Sequence, residues 1–220
     1  MKSLYSLAFL GACILGANRA QAQSTSSFGV KAGLSNAVLD GTINEGGEYK
    51  MGLHAGIFIR WRPSAHFALQ PEFVYAQQGS NNKVPIGNND IEYKNKLTYL
   101  NMPILAKIYL GKVVNLQVGP QFGLLLSARR VGQTGYTSSG SGTSYQTADV
   151  ETTDDYKNDL AVCGGLGADL PNGLTVAARL NYGFTDIDNN SQSQAARKYY
   201  GIGGLHNRTI EFSLGYVFQH

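Results

Sequence analysis

The sequence predicts an all-β chain, an eight-stranded antiparallel up-and-down transmembrane β-barrel. Three observations lead there. Eight segments alternate apolar and polar residues with a period of two, the pattern of strands with two different faces. Most of these segments exceed the roughly five or six residues usual in soluble strands and reach the roughly 9–11 that a tilted strand needs to cross a bilayer. The connections between them alternate short and long, as they do in barrels whose short turns face the periplasm and whose long loops face outside.

Taken in order, the first run is FGVKAGLS (28–35), with Phe28, Val30, Ala32 and Leu34 on one phase and Lys31 on the other. The second, KMGLHAGIFIRWR (50–62), sets Met51, Leu53, Ala55, Ile57, Ile59 and Trp61 against His54 and Arg60. The third, HFALQPEFVYAQQ (66–78), sets Phe67, Leu69, Phe73 and Tyr75 against Gln70 and Glu72. In the fourth, LTYLNMPILAKIYL (97–110), Leu100, Met102, Ile104, Ala106 and Ile108 oppose Asn101 and Lys107. The fifth, VNLQVGPQFGLLLSA (114–128), carries Leu116, Val118, Phe122, Leu124 and Leu126 on its apolar phase, with Gln117 and Gln121 on the other. The sixth, DLAVCGGLGADL (159–170), contributes Asp159 and Asp169 to the polar phase, and the seventh, GLTVAARLNYGFT (173–185), adds Arg179 and Asn181. The eighth, RTIEFSLGYVFQ (208–219), places Ile210, Phe212, Leu214, Tyr216 and Phe218 opposite Glu211.

Three connections are very short: PSA, GKV and PN. The others cover 36–49, 79–96, 129–158 and 186–207. Away from the rims the apolar phase carries no Asp, Glu, Lys or Arg. A charge facing lipid costs about 2–4 kcal/mol near the bilayer midplane, so this phase reads as the lipid-facing wall and the polar phase as the lumen.

The composition agrees. Charged residues make up 15% of the 220, against about 25% in an average soluble domain. Gly (27) and Tyr (13) are abundant, which suits a β protein whose surface is only partly wet. Residues 1–22 read as an export signal: Lys2 supplies the positive start, LYSLAFLGACILGA the apolar stretch, and Ala20-Gln21-Ala22 a cleavage site. Residues 23–220 then form the barrel domain. Without Lys2 and Arg19, 16 basic residues face 15 acidic ones, so nothing points to nucleic acid. Cys163 would be the one thiol left, which excludes an internal disulfide; among glycines it reads as small filler.

Glu72 poses the sharpest local question, since a carboxylate inside a core needs a partner. Pointing into the lumen, it can pair with Lys107 on the adjacent strand or with Arg179. An eight-stranded barrel is just wide enough for side chains to fill. Glu72, Lys107, Arg179, Glu211, Arg60 and His54 are therefore expected to form a structural network that plugs the lumen. Pro71, Pro103 and Pro120 fall mid-run on three consecutive strands; proline gives no ladder donor, so bulges or a weak ladder are expected there.

Other chemistry is not supported. CGGLGADL lacks the spacing and following helix of a dinucleotide site. DIDNNS (186–191) begins like a calcium loop but has Ser191 at its sixth position and Arg197 at its twelfth. His54, His66, His206 and His220 show no metal spacing. No cofactor, metal ligand or catalytic residue is expected. The stretch 129–158, rich in Gly, Ser, Thr and Tyr, reads as a solvated, mobile surface loop.

The stretches LQPEFVYAQQG, LTYLNMPILAKIYLG and NLQVGPQFGLLLSA, together with GLTVAARLNYGFTDI and RTIEFSLGYVF, resemble the PorT-like outer-membrane β-barrel family of Bacteroidota-type bacteria. The resemblance implies an eight-stranded barrel in the cell envelope of a Gram-negative organism, reached by export through the inner membrane. It also implies contact with outer-membrane lipid and the barrel-assembly machinery, and a link to secretion-system or surface proteins. The expected function is that of a non-enzymatic outer-membrane protein, structural or part of a secretion or surface assembly. A narrow pore for small solutes is the first alternative. An outer-membrane enzyme is the second, which would need a Ser and a His meeting at one rim.

Overall fold

The computed structural model describes residues 25–41, 47–86, 89–139 and 142–218. The expected export signal, 1–22, lies outside the described residues. Among the described residues there are nine strands: β1 (Thr25–Asp40), β2 (Gly47–Arg62), β3 (Phe67–Ile86), β4 (Asn89–Leu110), β5 (Val114–Ser139), β6 (Gly142–Glu151), β7 (Asp159–Asp169), β8 (Leu174–Gly183) and β9 (His206–Phe218). An α-helix, α1 (Ser191–Tyr199), sits between β8 and β9, and a short 3-10 turn, Thr153–Asp155, between β6 and β7.

Eight strands make the ring. Each pairs antiparallel with the next in the order β1-β2-β3-β4-β5-β7-β8-β9, and β9 returns to β1 from Phe28↔Phe218 to Asp40↔His206. Closure leaves no edge strand in the ring, so the backbone groups within the bilayer satisfy one another. β6 stands outside the ring. It pairs only with the outer end of β5, from Arg129↔Glu151 to Ser139↔Gly142.

β6 corrects the reading of 129–158 as a mobile surface loop, since most of the stretch is paired as strand. β5 runs for 26 residues, well past its apolar run, and β6 folds back on it as a hairpin. The ladder propagates in register beyond the membrane, and the Thr, Tyr and Val residues that look like loop filler are also good strand formers. β3 and β4 extend the same way, to 20 and 22 residues. The long connection after β8 contains α1, started by Asn190, whose side chain accepts from the Gln192 and Ser193 amides at 3.0 and 3.2 Å.

The two phases segregate as expected. Ile57, Ile59, Leu53, Val118, Leu180 and Leu214 stand on the outside, about half exposed. Lys31, His54, Arg60, Gln70, Glu72, Lys107, Gln117, Arg179 and Glu211 are buried inside. Room for the large inward side chains comes in part from glycine: a Cβ on Gly165 would lie 2.2 Å from the Ala178 carbonyl oxygen and 3.0 Å from Arg179 Cγ.

The prolines weaken the ladder without bulging it. Paired residues skip from Phe58↔Glu72 to Trp61↔Leu69, from Pro71↔Ile104 to Val74↔Asn101, and from Pro103↔Gln121 to Ala106↔Val118, with the register unchanged across each gap. True register shifts fall elsewhere, at Tyr49/His54, Thr98/Tyr99 and Gln133/Gly135. A missing N–H removes one bond but does not add a residue, which is what a bulge requires.

Candidate functional site in the barrel lumen

The lumen is filled by stacked layers of side chains from every strand of the ring. Near the end with short turns, Asp169 on β7 accepts from Lys107 Nζ (3.1 Å), Arg60 Nη2 (3.1 Å), the Tyr109 hydroxyl (2.8 Å) and Asn115 Nδ2 (3.0 Å). Gln70 links this layer to the next. Its Oε1 accepts from Arg60 Nε (2.8 Å) and Lys107 Nζ (3.2 Å), and its Nε2 donates to Glu72 Oε1 at 2.7 Å.

Glu72 is the centre of the second layer. Arg179 Nη1 and Nη2 donate to its two oxygens at 2.8 Å each, a bidentate pair, and Lys31 Nζ donates to Oε2 at 2.9 Å. Arg179 Nε donates to Gln117 Oε1 at 2.7 Å, and Gln117 donates to Asn115 at 2.8 Å, which closes the network back onto Asp169. Two positive groups around one carboxylate, with its hydrogen bonds complete, offset the desolvation that makes a lone buried charge so costly.

The third layer is less saturated. His54 Nε2 and Ser213 Oγ lie 2.8 Å apart, and Cys163 donates to Gln121 at 3.3 Å. Glu211 stands opposite Arg179 in the β8–β9 ladder, and its charge reaches both Arg179 and His54. Above this, Asn207 donates to Asp159 at 3.1 Å. Several buried polar atoms here have no partner among the described residues: His54 Nδ1, Asn101 Nδ2, both amide atoms of Asn181, Asn207 Oδ1 and Thr209 Oγ1.

An apolar plug closes the end with long loops. Leu39, Leu97, Tyr99 and Ala128 point in from the strands and pack against Ile187 and Leu205 from the β8–β9 connection, with Leu125 and Tyr156 alongside. Backbone bonds hold the cap: Ile187 N to Leu205 O (2.9 Å), Lys157 N to Ile187 O (2.8 Å) and Asn189 N to Asp155 O (2.8 Å). Burial pushes the Tyr156 phenol up to about 12. Asp186 and Asp188, the start of the calcium-like motif, are structural staples. Asp188 binds Arg197 and the Asn190 amide, and Asp186 accepts from the Asp188 and Leu205 amides.

The expected residues thus divide between layers. Arg179 is a partner of Glu72, as one of the two candidates. Lys107 is not: it turns to Asp169, two strands along the ring. Lys31 takes the second place on Glu72. β1 does not pair with β3, so no local pattern marks Lys31; only its inward phase hints at it. His54 does meet a serine, but in mid-barrel, both buried, with the imidazole Nδ1 unpartnered rather than oriented by a carboxylate. That is not the rim arrangement an enzyme of the Ser–His type requires. Among the described residues no cluster of His, Cys, Asp and Glu has the geometry to hold a metal ion.

Comparison with known proteins places this architecture. A family model described as "Outer membrane protein beta-barrel domain" matches residues 20–189. Among solved structures, Neisserial surface protein A is similar at 13% identity with a TM-score of 0.50, over 88% of this chain and 99% of that one. The attachment invasion locus protein of Yersinia pestis is similar at 13% identity and a TM-score of 0.44, again over 88% and 99%. E. coli outer membrane protein W aligns at 13% identity and 0.34, over 89% and 100%. At these identities the likeness concerns the fold alone. No curated protein matches the sequence.

Proposed function

Because the chain belongs to the outer membrane protein beta-barrel domain family, we propose that it is a sealed, non-enzymatic barrel of the outer membrane. In this reading it serves as a structural element or as a component of a secretion or surface assembly of the PorT-like kind. One observation carries it. The Glu72–Arg179–Lys31 cluster spans the lumen, and the Asp169 layer below and the apolar plug above leave the barrel a rigid plate for its outer loops. Such a barrel acts through its wall and its loops, not through its interior. Export through the inner membrane and folding by the barrel-assembly machinery belong to the same proposal.

The test is planar-bilayer conductance of the refolded chain from Gln23 to His220, with heat-modifiable gel mobility to show that the barrel has formed. The expected result is a folded, silent barrel. A steady open level would favour the second reading, a narrow pore. That reading draws its support from the unpartnered polar atoms of Asn101, Asn181, Asn207 and Thr209, which suit a hydrated upper lumen. Under it, Glu72→Gln or Arg179→Gln would change the conductance.

A further inference from the structure

We infer that the outer wall of the barrel carries a binding site for the phosphate group of a membrane lipid, built from Lys50, Lys94 and Lys96. The inference goes beyond the sealed-barrel reading, since it concerns the wall and not the lumen.

The site begins with strand phase. On β4 the residues that face outward continue from Leu100 through Thr98 to Lys96 and Lys94, and the cross-strand partners on β3 are Tyr75, Gln77, Gly79 and Asn81. Opposite Lys96 the wall therefore has no side chain. Gly79 adopts φ +120°, and a Cβ there would lie 2.0 Å from the Asn95 carbonyl oxygen. On the other side of β3, the register shift between Tyr49 and His54 leaves Lys50 without a β3 partner, while it stays paired with Ala37 of β1. Its Nζ donates to the Gln78 carbonyl at 3.1 Å. The result is a groove of about 520 Å³ lined by Lys50, Lys94 and Lys96 with the polar side chains of Gln77, Asn81 and Thr98. Lys94 and Lys96 are close enough for their charges to act on Lys50.

Three ammoniums with no carboxylate in salt-bridge contact are an incomplete arrangement. Several other cations near this end have acidic partners: Lys83 with Asp90 (2.9 Å) and Glu92 (3.6 Å), Arg129 with Asp149 (2.9 Å), and Arg208 with Asp40 (3.3 Å). Among the described residues no carboxylate makes a salt bridge to Lys50, Lys94 or Lys96. Glu48 and Glu92 line an adjoining groove that Lys83, Lys94 and Lys96 also line, but of these lysines only Lys83 is in salt-bridge contact with Glu92. An anion with several acceptor oxygens would relieve the repulsion and use the lysine, amide and hydroxyl donors together.

Position selects a lipid as its source. Met51, 71% exposed, forms the lower edge of the groove, next to the outward-facing Leu53, Tyr75 and Leu100. Lys96 lies four residues beyond Leu100, which is about 13 Å along the strand at ~3.3 Å per residue. Over that distance the outward phase changes from Leu100 through Thr98 to lysine, the change a barrel wall shows where it passes from hydrocarbon to headgroups. The long connections mark this end as the outward one, so the leaflet is the outer leaflet. A lipid whose chains lie against Leu53 and Tyr75 brings its phosphate to the lysines already anchored.

The test uses the refolded chain in nanodiscs containing bisphosphorylated lipid A or its dephosphorylated form, followed by native mass spectrometry of the released protein. The wild type should retain the phosphorylated lipid and not the dephosphorylated one. Each lysine near a charged surface is worth about five-fold in binding, so Lys50→Gln/Lys94→Gln/Lys96→Gln should lose roughly 100-fold. A charge-matched variant, Lys112→Gln/Lys157→Gln/Lys198→Gln, should stay within about two-fold, because those lysines are outside the site. Heat-modifiable mobility confirms folding. If the triple variant does not fold, Lys96→Gln alone should lose about five-fold. Equal retention by the site variant, equal loss in the control, or equal retention of the dephosphorylated lipid would each overturn the proposal. So would inorganic phosphate binding as tightly to lipid-free protein in detergent, which would make the groove a site for free anions.

Discussion

Arg179 on β8 closes a bidentate pair with Glu72 on β3 from across the lumen, both distances 2.8 Å, and both side chains are almost wholly buried. The pair ties opposite sides of the ring together, so its removal acts on the barrel as a whole. Glu72→Gln would leave Arg179 and Lys31 without compensation and is expected to cost about 3–5 kcal/mol in urea unfolding of the refolded protein. Replacing the whole cluster, as Lys31→Met/Glu72→Met/Arg179→Met, should recover most of that loss, because no buried charge is then left unpaired. A triple variant weaker than the single one would show that the network does more than balance charge.

The outer wall is sensitive in the opposite sense. Ile57 faces outward near the middle of β2, 46% exposed, with no polar neighbour on its face. Ile57→Lys should destabilise the membrane-inserted barrel by about 2–4 kcal/mol. Leu110→Lys, at the end of β4, should cost no more than about 1 kcal/mol, because charges near the interface remain hydrated. Equal costs at the two positions would contradict the assignment of the hydrocarbon band.

Ile187 is fully buried in the plug yet belongs to a connection rather than a strand. Ile187→Ala should cost about 2–5 kcal/mol of local packing. The expected readout is faster proteolysis of the β8–β9 connection with conductance still silent, because the ionic layers beneath stay in place. Conductance appearing in this variant would mean that the plug alone seals the barrel.

Tyr156 gives the cap a pH dependence. Its phenol is held near 12 by burial, above its ordinary value of 10.0. An acid whose folded pKa is raised contributes stability that is complete below the unfolded value and is lost as pH rises through the folded one. The cap should therefore loosen between about pH 10 and pH 12, seen as faster proteolysis of the β8–β9 connection, and Tyr156→Phe should remove that dependence. A cap equally sensitive to alkali in Tyr156→Phe would assign the effect to another group.

Among the described residues β6 pairs with the ring only through the outer part of β5. Deleting residues 132–149 and joining the ends with a short Gly-Ser turn should leave folding and heat-modifiable mobility unchanged, since no residue below Arg129 loses a ladder partner. A deletion variant that fails to fold would give the hairpin a part in assembly.

By itself the sequence determined the ring: eight spanning strands, their order, and the face on which each side chain stands. That information is local. A period of two assigns Ile57 to lipid and Glu72 to the lumen from immediate neighbours alone, and the cost of a charge in hydrocarbon keeps the pattern clean. The tertiary structure decided everything that depends on height and on contact across the ring. Lys31 and Arg179 reach Glu72, and Lys107 turns instead to Asp169, because barrel closure fixes which inward residues share a level. In the same way, the β6 hairpin, the Ile187–Leu205 plug and the three wall lysines arise where the ladder runs past the hydrocarbon. Beyond the bilayer water can satisfy the backbone, so alternation no longer has to mark where a strand ends.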